Sequence, residues 1–364
     1  MVLMRGLADD KPLMSWLNDH IWPAEQKWVG EKFVRDGTTL AIAEMLLSGT
    51  TCFADMYFYP DEVAATAFDM GIRAQVNFPV FDFPTAWAGG ADEYISKGLA
   101  LHDSYRSIDL ITIGFGPHAP YTVSDAPLKK IAMYAAELQA PIHIHVHETA
   151  HEVAESQKAH GLRPIARLAE LGVLGPATQC VHMTQVSDED IDCLVETGAS
   201  VVHCPHSNLK LASGNCPVQK LIDSNINVCL GTDGAASNND LDLFSEAQTA
   251  ALIGKAVADS ATAVNAMAAL EMATINGARA MGLEEKIGSL EPGKLADFIA
   301  IDLNDISYMP MYDVISQLVY TNVGRRVSHV WIDGKSAVNN HVLVGHSSSE
   351  FIELARHWQK KLTQ

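Results

Sequence analysis

No stretch of this 364-residue chain approaches the roughly 20 consecutive apolar residues that a membrane-spanning helix needs. The first ten residues, MVLMRGLADD, lack the basic segment and long apolar core of a secretory signal. Positive charge is scarce: 25 Lys and Arg stand against 44 Asp and Glu, a formal net charge of −19. Nucleic-acid backbones and anionic membranes are both bound through clustered cations, so the composition argues against either as a partner. The six cysteines (Cys52, Cys180, Cys193, Cys204, Cys216 and Cys229) form no Cys-x-x-Cys pair. Scattered in this way they read as reduced, buried thiols, and together with the absent signal they predict a cytoplasmic protein. No Gly-x-Gly-x-x-Gly follows a first strand, which counts against a dinucleotide-binding doubly wound sheet.

What is present is a chain that is 48% apolar and 19% charged, enough to bury a large core and too apolar to be disordered. Short apolar runs at 51–55, 73–79, 110–116, 141–147, 179–183, 200–204 and 227–231 read as strands. Between them lie stretches of helical period, among them 126–138, 164–171 and 188–196, with Ser124 and Ser187 placed as N-caps and Gly172 and Gly198 as stops. Strand–helix alternation implies a parallel sheet. The expected fold is α/β, a (β/α)8 TIM-type barrel over residues 1–285. Seven strands are visible where eight are needed, so the first strand is expected to be missing or incomplete, its place falling before Met1. A β-sandwich remnant and a terminal helix are expected over 286–364. Within them Val327–Ile332, Asp333-Gly334 and Lys335–Val338 read as a tight hairpin, and 348–362 as the helix.

Fifteen histidines are many for this length, and several stand at strand ends, where a barrel of this kind builds its active site. His118 follows the third visible strand; His143, His145, His147 and Glu148 lie on or after the fourth; His182 ends the fifth; His203 and His206 border the sixth; Asp233 follows the seventh. The period-two spacing of His143, His145 and His147 predicts that all three face one side. A single such histidine is most simply a hydrogen-bonded core residue, and Asp233 alone a turn residue capping the next helix. As a set on successive strand ends, they point to a metal or acid/base centre.

Several ordered motifs carry a more specific resemblance: His145-Val146-His147-Glu148, Gly116-Pro117-His118-Ala119-Pro120-Tyr121, Cys180-Val181-His182, Ser207-Asn208-Leu209-Lys210-Leu211 and Gly231–Asn239. With Arg5–Asp10, Trp22-Pro23-Ala24-Glu25 and Gly288–Asp297, they resemble the amidohydrolase superfamily. Within it they resemble the methylthioadenosine/S-adenosylhomocysteine deaminases, near relatives of the triazine hydrolases. The resemblance implies zinc, with iron(II) or manganese(II) as alternatives, held by His145 and Asp233. It implies catalytic roles for Glu148, His182 and Asp233, and substrate contacts from Glu25, His118, Glu148 and Asp233, with Glu25 on the ribose hydroxyls. In such enzymes a His-x-His pair on the first barrel strand supplies two further ligands, and its position falls before Met1. The implied partner is a small nucleoside. A homo-oligomer stays open.

The expected reaction is metal-dependent hydrolytic deamination of an adenosine-type nucleoside to the inosine analogue and ammonia. Residues 78–93 carry no Lys or Arg to hold a homocysteine carboxylate, while Phe81, Phe83 and Trp87 suit an apolar methylthio group. Methylthioadenosine is therefore expected over S-adenosylhomocysteine. The competing readings are a guanine or cytosine deaminase, a triazine chlorohydrolase, and a truncated barrel that binds nucleosides without turnover.

Overall fold

The computed structural model describes residues 1–363. Seven strands form one sheet in plain sequence order: β1 (Cys52–Asp55), β2 (Arg73–Val80), β3 (Ile111–Pro117), β4 (Ile142–Val146), β5 (Thr178–His182), β6 (Ser200–His203) and β7 (Val228–Leu230). All six neighbouring pairs are parallel. Every residue of β2 and β5 is buried, as expected of strands covered on both faces. Helices alternate with the strands, giving a curled parallel sheet of TIM-type half-barrel architecture. β1 and β7 are the two ends of the sheet and do not pair with each other.

Local signals explain most boundaries. The helix Asp188–Thr197 starts in a reciprocal capping box between Ser187 and Asp190, and ends at Gly198 in the left-handed conformation (φ 72°). Ser124 takes the extended N-cap conformation, yet its side chain makes no cap bond; its N–H donates instead to Asp82 Oδ2 at 2.8 Å.

A second, antiparallel sheet runs β11-β10-β9-β8, from β8 (Phe298–Ile301), β9 (Val327–Ile332), β10 (Lys335–Asn339) and β11 (Val342–Leu343). Asp333 and Gly334 both have positive φ (50° and 72°), the conformation an Asp-Gly hairpin turn favours. The helix Ser348–Leu362 buries Phe351 and Trp358, two turns apart on one face. Trp358 packs edge-on to Phe33 at 5.0 Å, and its Nε1 donates to Asp36 Oδ2 at 2.8 Å, which fastens the C-terminal helix to the helix Glu31–Leu47. The two sheets are joined by a buried fork. Arg73 Nε and Nη2 donate to the two carboxylate oxygens of Asp297 at 2.9 and 3.2 Å. Removing one partner of such a pair strands a buried charge.

The helix Ala91–Tyr105 lies close against β2 at one point. A Cβ on Gly98 would meet the Phe78 ring at 2.3 Å. Phe78 is fully buried and packs on Phe115 at 4.8 Å, so it has no room to yield. Glycine to alanine in a helix ordinarily stabilises by about 1 kcal/mol. Here Gly98→Ala is expected to destabilise by roughly 1–3 kcal/mol instead, as overpacking does. Urea unfolding at equilibrium checks this, and a raised midpoint would contradict it.

Candidate active site

All the parallel strands end on one side, and the loops that follow them surround a cavity of about 610 Å³. Glu25, His118, His145, Glu148, His182 and Asp233 all line it, although they come from five separate segments. The cavity also runs between β1 and β7, past Cys52–Asp55 on one side and Cys229–Gly231 on the other.

Each histidine that lines the cavity has one ring nitrogen committed to a neighbour. His145 Nδ1 donates to the His118 carbonyl at 2.8 Å, which fixes the tautomer and leaves the Nε2 lone pair for the cavity. His182 Nδ1 donates to Asn208 Oδ1 at 2.9 Å, and its Nε2 lies 3.8 Å from Glu148 Oε2. The two rings stack at 5.5 Å. His118 stacks on Phe81 at 4.8 Å, with Nδ1 3.1 Å from Thr122 Oγ1. Burial pushes His118 down to about 3 and also lowers His145, so both are neutral imidazoles. Burial works in the same direction at His182, but there the charges of Glu148 and Asp233 prevail and raise it.

Asp233 sits at φ 57°, where the chain turns sharply out of the sheet. Its Oδ2 accepts from Ser207 Oγ (2.7 Å) and Ser237 Oγ (2.6 Å), and its Oδ1 from the Gly234 N–H (2.7 Å). Burial raises its carboxyl, yet His182, His145 and the two serines outweigh that and leave it below its ordinary value. Asp233 therefore does cap its own turn, while also facing the cavity. Glu148 Oε1 accepts from Ser213 Oγ at 3.3 Å. Glu25 Oε1 accepts from Tyr57 Oη at 2.6 Å.

Several expectations need correction. His147 does not share a face with His143 and His145. β4 ends at Val146, and His147 turns to φ 54° away from the cavity, fully buried. There its Nδ1 donates to Gln185 O at 2.9 Å and its Nε2 accepts from the Ile165 N–H at 3.2 Å, so it is a structural histidine. His203 and His206 also lie outside the cavity lining. His206 pairs with Glu246 (3.1 Å) and Thr249 (2.7 Å). Among the described residues, the one set of three donors drawn within 4.8 Å of one another is His206, Asp240 and Glu246, rather than a set built on His145 and Asp233. Of the three aromatics expected to shape the substrate pocket, Phe81 lines the cavity, whereas Phe83 and Trp87 do not.

The supporting partners are the residues that sequence reasoning missed. Gln75 and Gln179 exchange amide hydrogen bonds (3.1 and 3.0 Å) across the inside of the sheet, and Gln179 Oε1 also receives His143 Nδ1 at 2.8 Å. Their one signal is a polar residue at every second position of β2: Arg73, Gln75, Asn77. Glu152 accepts from the backbone N–H groups of His147 and Glu148 at 2.9 and 2.8 Å, and so holds the turn that presents Glu148. It sits two residues into the helix Ala150–His160, where a carboxylate commonly caps.

The family model for the amidohydrolase family matches residues 1–337, and the chain belongs to that family. It is 61% identical over its whole length to a 5-methylthioadenosine/S-adenosylhomocysteine deaminase of Saccharophagus degradans, covering 81% of that protein. It is 41% identical to a 5'-deoxyadenosine deaminase of Methanothermobacter thermautotrophicus, covering 84% of it. Among solved structures, it superposes with TM-score 0.98 on an adenosine deaminase of Xanthomonas campestris with bound zinc, at 49% identity, covering 100% of this chain and 82% of that one.

His203 provides a pH test of the packing behind the site. It is buried, neither ring nitrogen has a hydrogen-bond partner, and burial pushes it down to about 3. Below pH 6.5 the unfolded chain takes up a proton there that the folded chain refuses. The folded state thus loses about 1.4 kcal/mol of stability per pH unit as pH falls from 6.5 towards 4. In urea unfolding at pH 7.5, 6 and 5, His203→Phe is expected to gain on the wild type as the pH drops. A difference independent of pH would contradict this.

Proposed function

We propose that this chain is a metal-dependent hydrolytic deaminase of adenosine-type nucleosides, with 5'-methylthioadenosine its preferred substrate. The observation that carries the reading is the convergence of Glu25, His118, His145, Glu148, His182 and Asp233 on one cavity that no Lys or Arg lines.

The residues present fit a divalent metal. Five carboxylates, those of Glu25, Asp55, Glu148, Asp233 and Asp297, line the cavity; Arg73 pairs with Asp297, the Met1 amino group lies near Glu25 and Asp55, and no Lys or Arg side chain lines the cavity itself. Asp55 Oδ2 is buried with no hydrogen-bond partner, and burial pushes its carboxyl up to about 6. His145 and Asp233 would hold the metal, zinc first, with iron(II) or manganese(II) as alternatives, through the imidazole and carboxylate donors such ions take. When bound, the metal supplies a Lewis acid that acidifies water at the site. The division into a barrel (1–285) and an appendage (286–364), and a cytoplasmic location, belong to this reading too.

The chain's own groups then divide the work. Asp233, held ionised by its serines and the neighbouring imidazoles, accepts the proton of the attacking water. Glu148 donates a proton to the ring nitrogen next to C6, so that negative charge does not accumulate there. His182, fixed by Asn208, donates from Nε2 to the oxygen added at C6. Glu25 accepts from the ribose hydroxyls. Asp233 passes its proton to the amino group, which leaves C6 as ammonia, and the proton of the added hydroxyl returns to Glu148, giving the inosine analogue. The apolar wall at Phe58 and Phe81 and the absence of a cation favour a methylthio group over a charged amino-acid tail.

The unpaired edges of β1 and β7 favour a second reading, a nucleoside-binding barrel without turnover. Metal analysis and ammonia release separate the two. The deaminase reading expects bound metal, and higher kcat/KM for methylthioadenosine than for S-adenosylhomocysteine. His145→Ala should lose metal and activity together. Glu148→Gln should retain metal and lose about 100-fold or more in kcat, the usual scale for a lost proton donor. Full activity in Glu148→Gln would overturn the assigned chemistry.

A further inference from the structure

We infer that Tyr57 is the positioning residue that lets this site distinguish a ribose from a sugar without hydroxyls. It acts by holding Glu25, and the inference rests on the reading of Glu25 given above. Tyr57 follows β1 by two residues, whereas Glu25 belongs to the helix Trp22–Trp28; both line the cavity. The phenol Oη donates to Glu25 Oε1 at 2.6 Å, and among the described residues no other side chain donates a hydrogen bond to that carboxylate. Glu25 is 8% exposed, and no Lys or Arg lines the cavity around it.

A buried carboxylate in such surroundings has two ways to fail as an acceptor. It can take up a proton, and it can rotate. Burial does raise the Glu25 carboxyl, and the Tyr57 hydrogen bond is the largest influence opposing that rise. The same bond occupies one oxygen and so sets the plane of the carboxylate, leaving Oε2 as the acceptor for a donor entering the cavity. Tyr57 is itself a dependable donor. Burial and the charge of Glu25 push its phenol well above the ordinary value, so it keeps its proton at every working pH. Its ring is packed against Phe58 at 5.1 Å. Vicinal sugar hydroxyls are O–H donors that pair with an ionised, fixed carboxylate, and such charge-assisted bonds are roughly twice as strong as neutral ones. Tyr57 thus contributes to affinity only for ligands that carry those hydroxyls.

The test is equilibrium binding by calorimetry of two ligands that the proposed reaction does not consume, inosine and 2',3'-dideoxyinosine. The wild type should bind inosine more tightly. Tyr57→Phe should weaken inosine binding by about tenfold, the scale of one hydrogen bond to a charged group, and change dideoxyinosine binding by less than twofold. Glu25→Gln should likewise erase most of the preference for inosine. Equal weakening of both ligands by Tyr57→Phe, or no weakening of either, overturns the positioning role while Glu25→Gln still abolishes discrimination. If Glu25→Gln leaves the preference intact, or the wild type shows none, the ribose reading of Glu25 fails, and the inference about Tyr57 fails with it.

Discussion

The site depends on the burial of negative charge without basic side chains. Glu25, Asp55, Glu148 and Asp233 line one cavity, and no Lys or Arg side chain lies among the residues around it. Bringing carboxylates out of water is costly unless they are paired or coordinated. The chain meets that cost piecemeal. Two serines and a backbone N–H surround Asp233, a phenol holds Glu25, and Ser213 reaches Glu148. Burial lowers the neighbouring imidazoles of His118 and His145 and leaves them as donors of electron pairs, whereas His182 is raised by the charges of Glu148 and Asp233. Asp55 Oδ2 keeps no hydrogen-bond partner, and under the proposed function a divalent cation would add positive charge among these carboxylates.

The scaffold delivers those groups through long-range ties that converge on the same loops. Lys210 binds Asp9 (2.7 Å) and Asn239 (2.5 Å), so three separated sequence motifs meet at one ammonium group. Behind Asp233, the fully buried Glu246 accepts from the His206 N–H at 3.2 Å and from Asn238 Nδ2 at 2.5 Å, and Asn238 in turn donates to Thr232 O at 2.7 Å. The two serines that hold Asp233 stand on the segments this carboxylate draws together. His206 and Glu246 therefore act as bracing for the Asp233 loop, their polar atoms engaged with each other, Asn238 and Thr249.

The strands were legible because buried parallel strands are short, continuous apolar runs, and each observed strand lies within about two residues of such a run. The residues on the cavity were legible because strand ends in this architecture face one side, and because ordered motifs recur there. Side-chain direction just past a strand was not. His147 continues the period-two spacing of His143 and His145, yet the backbone has already left the strand. Phe83 and Trp87 were misplaced for the same reason, since a loop carries no periodicity. The orienting partners, Tyr57 on Glu25, Asn208 on His182 and Gln75 on Gln179, come from distant segments, so no local pattern announces them.

The most direct test of the account is to react methylthioadenosine with the purified chain in oxygen-18 water and weigh the product by mass spectrometry. Attack of water at C6 predicts one oxygen-18 atom per nucleoside product and one ammonia released, with the sugar still attached. A product without the label, free base from cleavage of the sugar bond, or no reaction at all with the metal-loaded protein would contradict it.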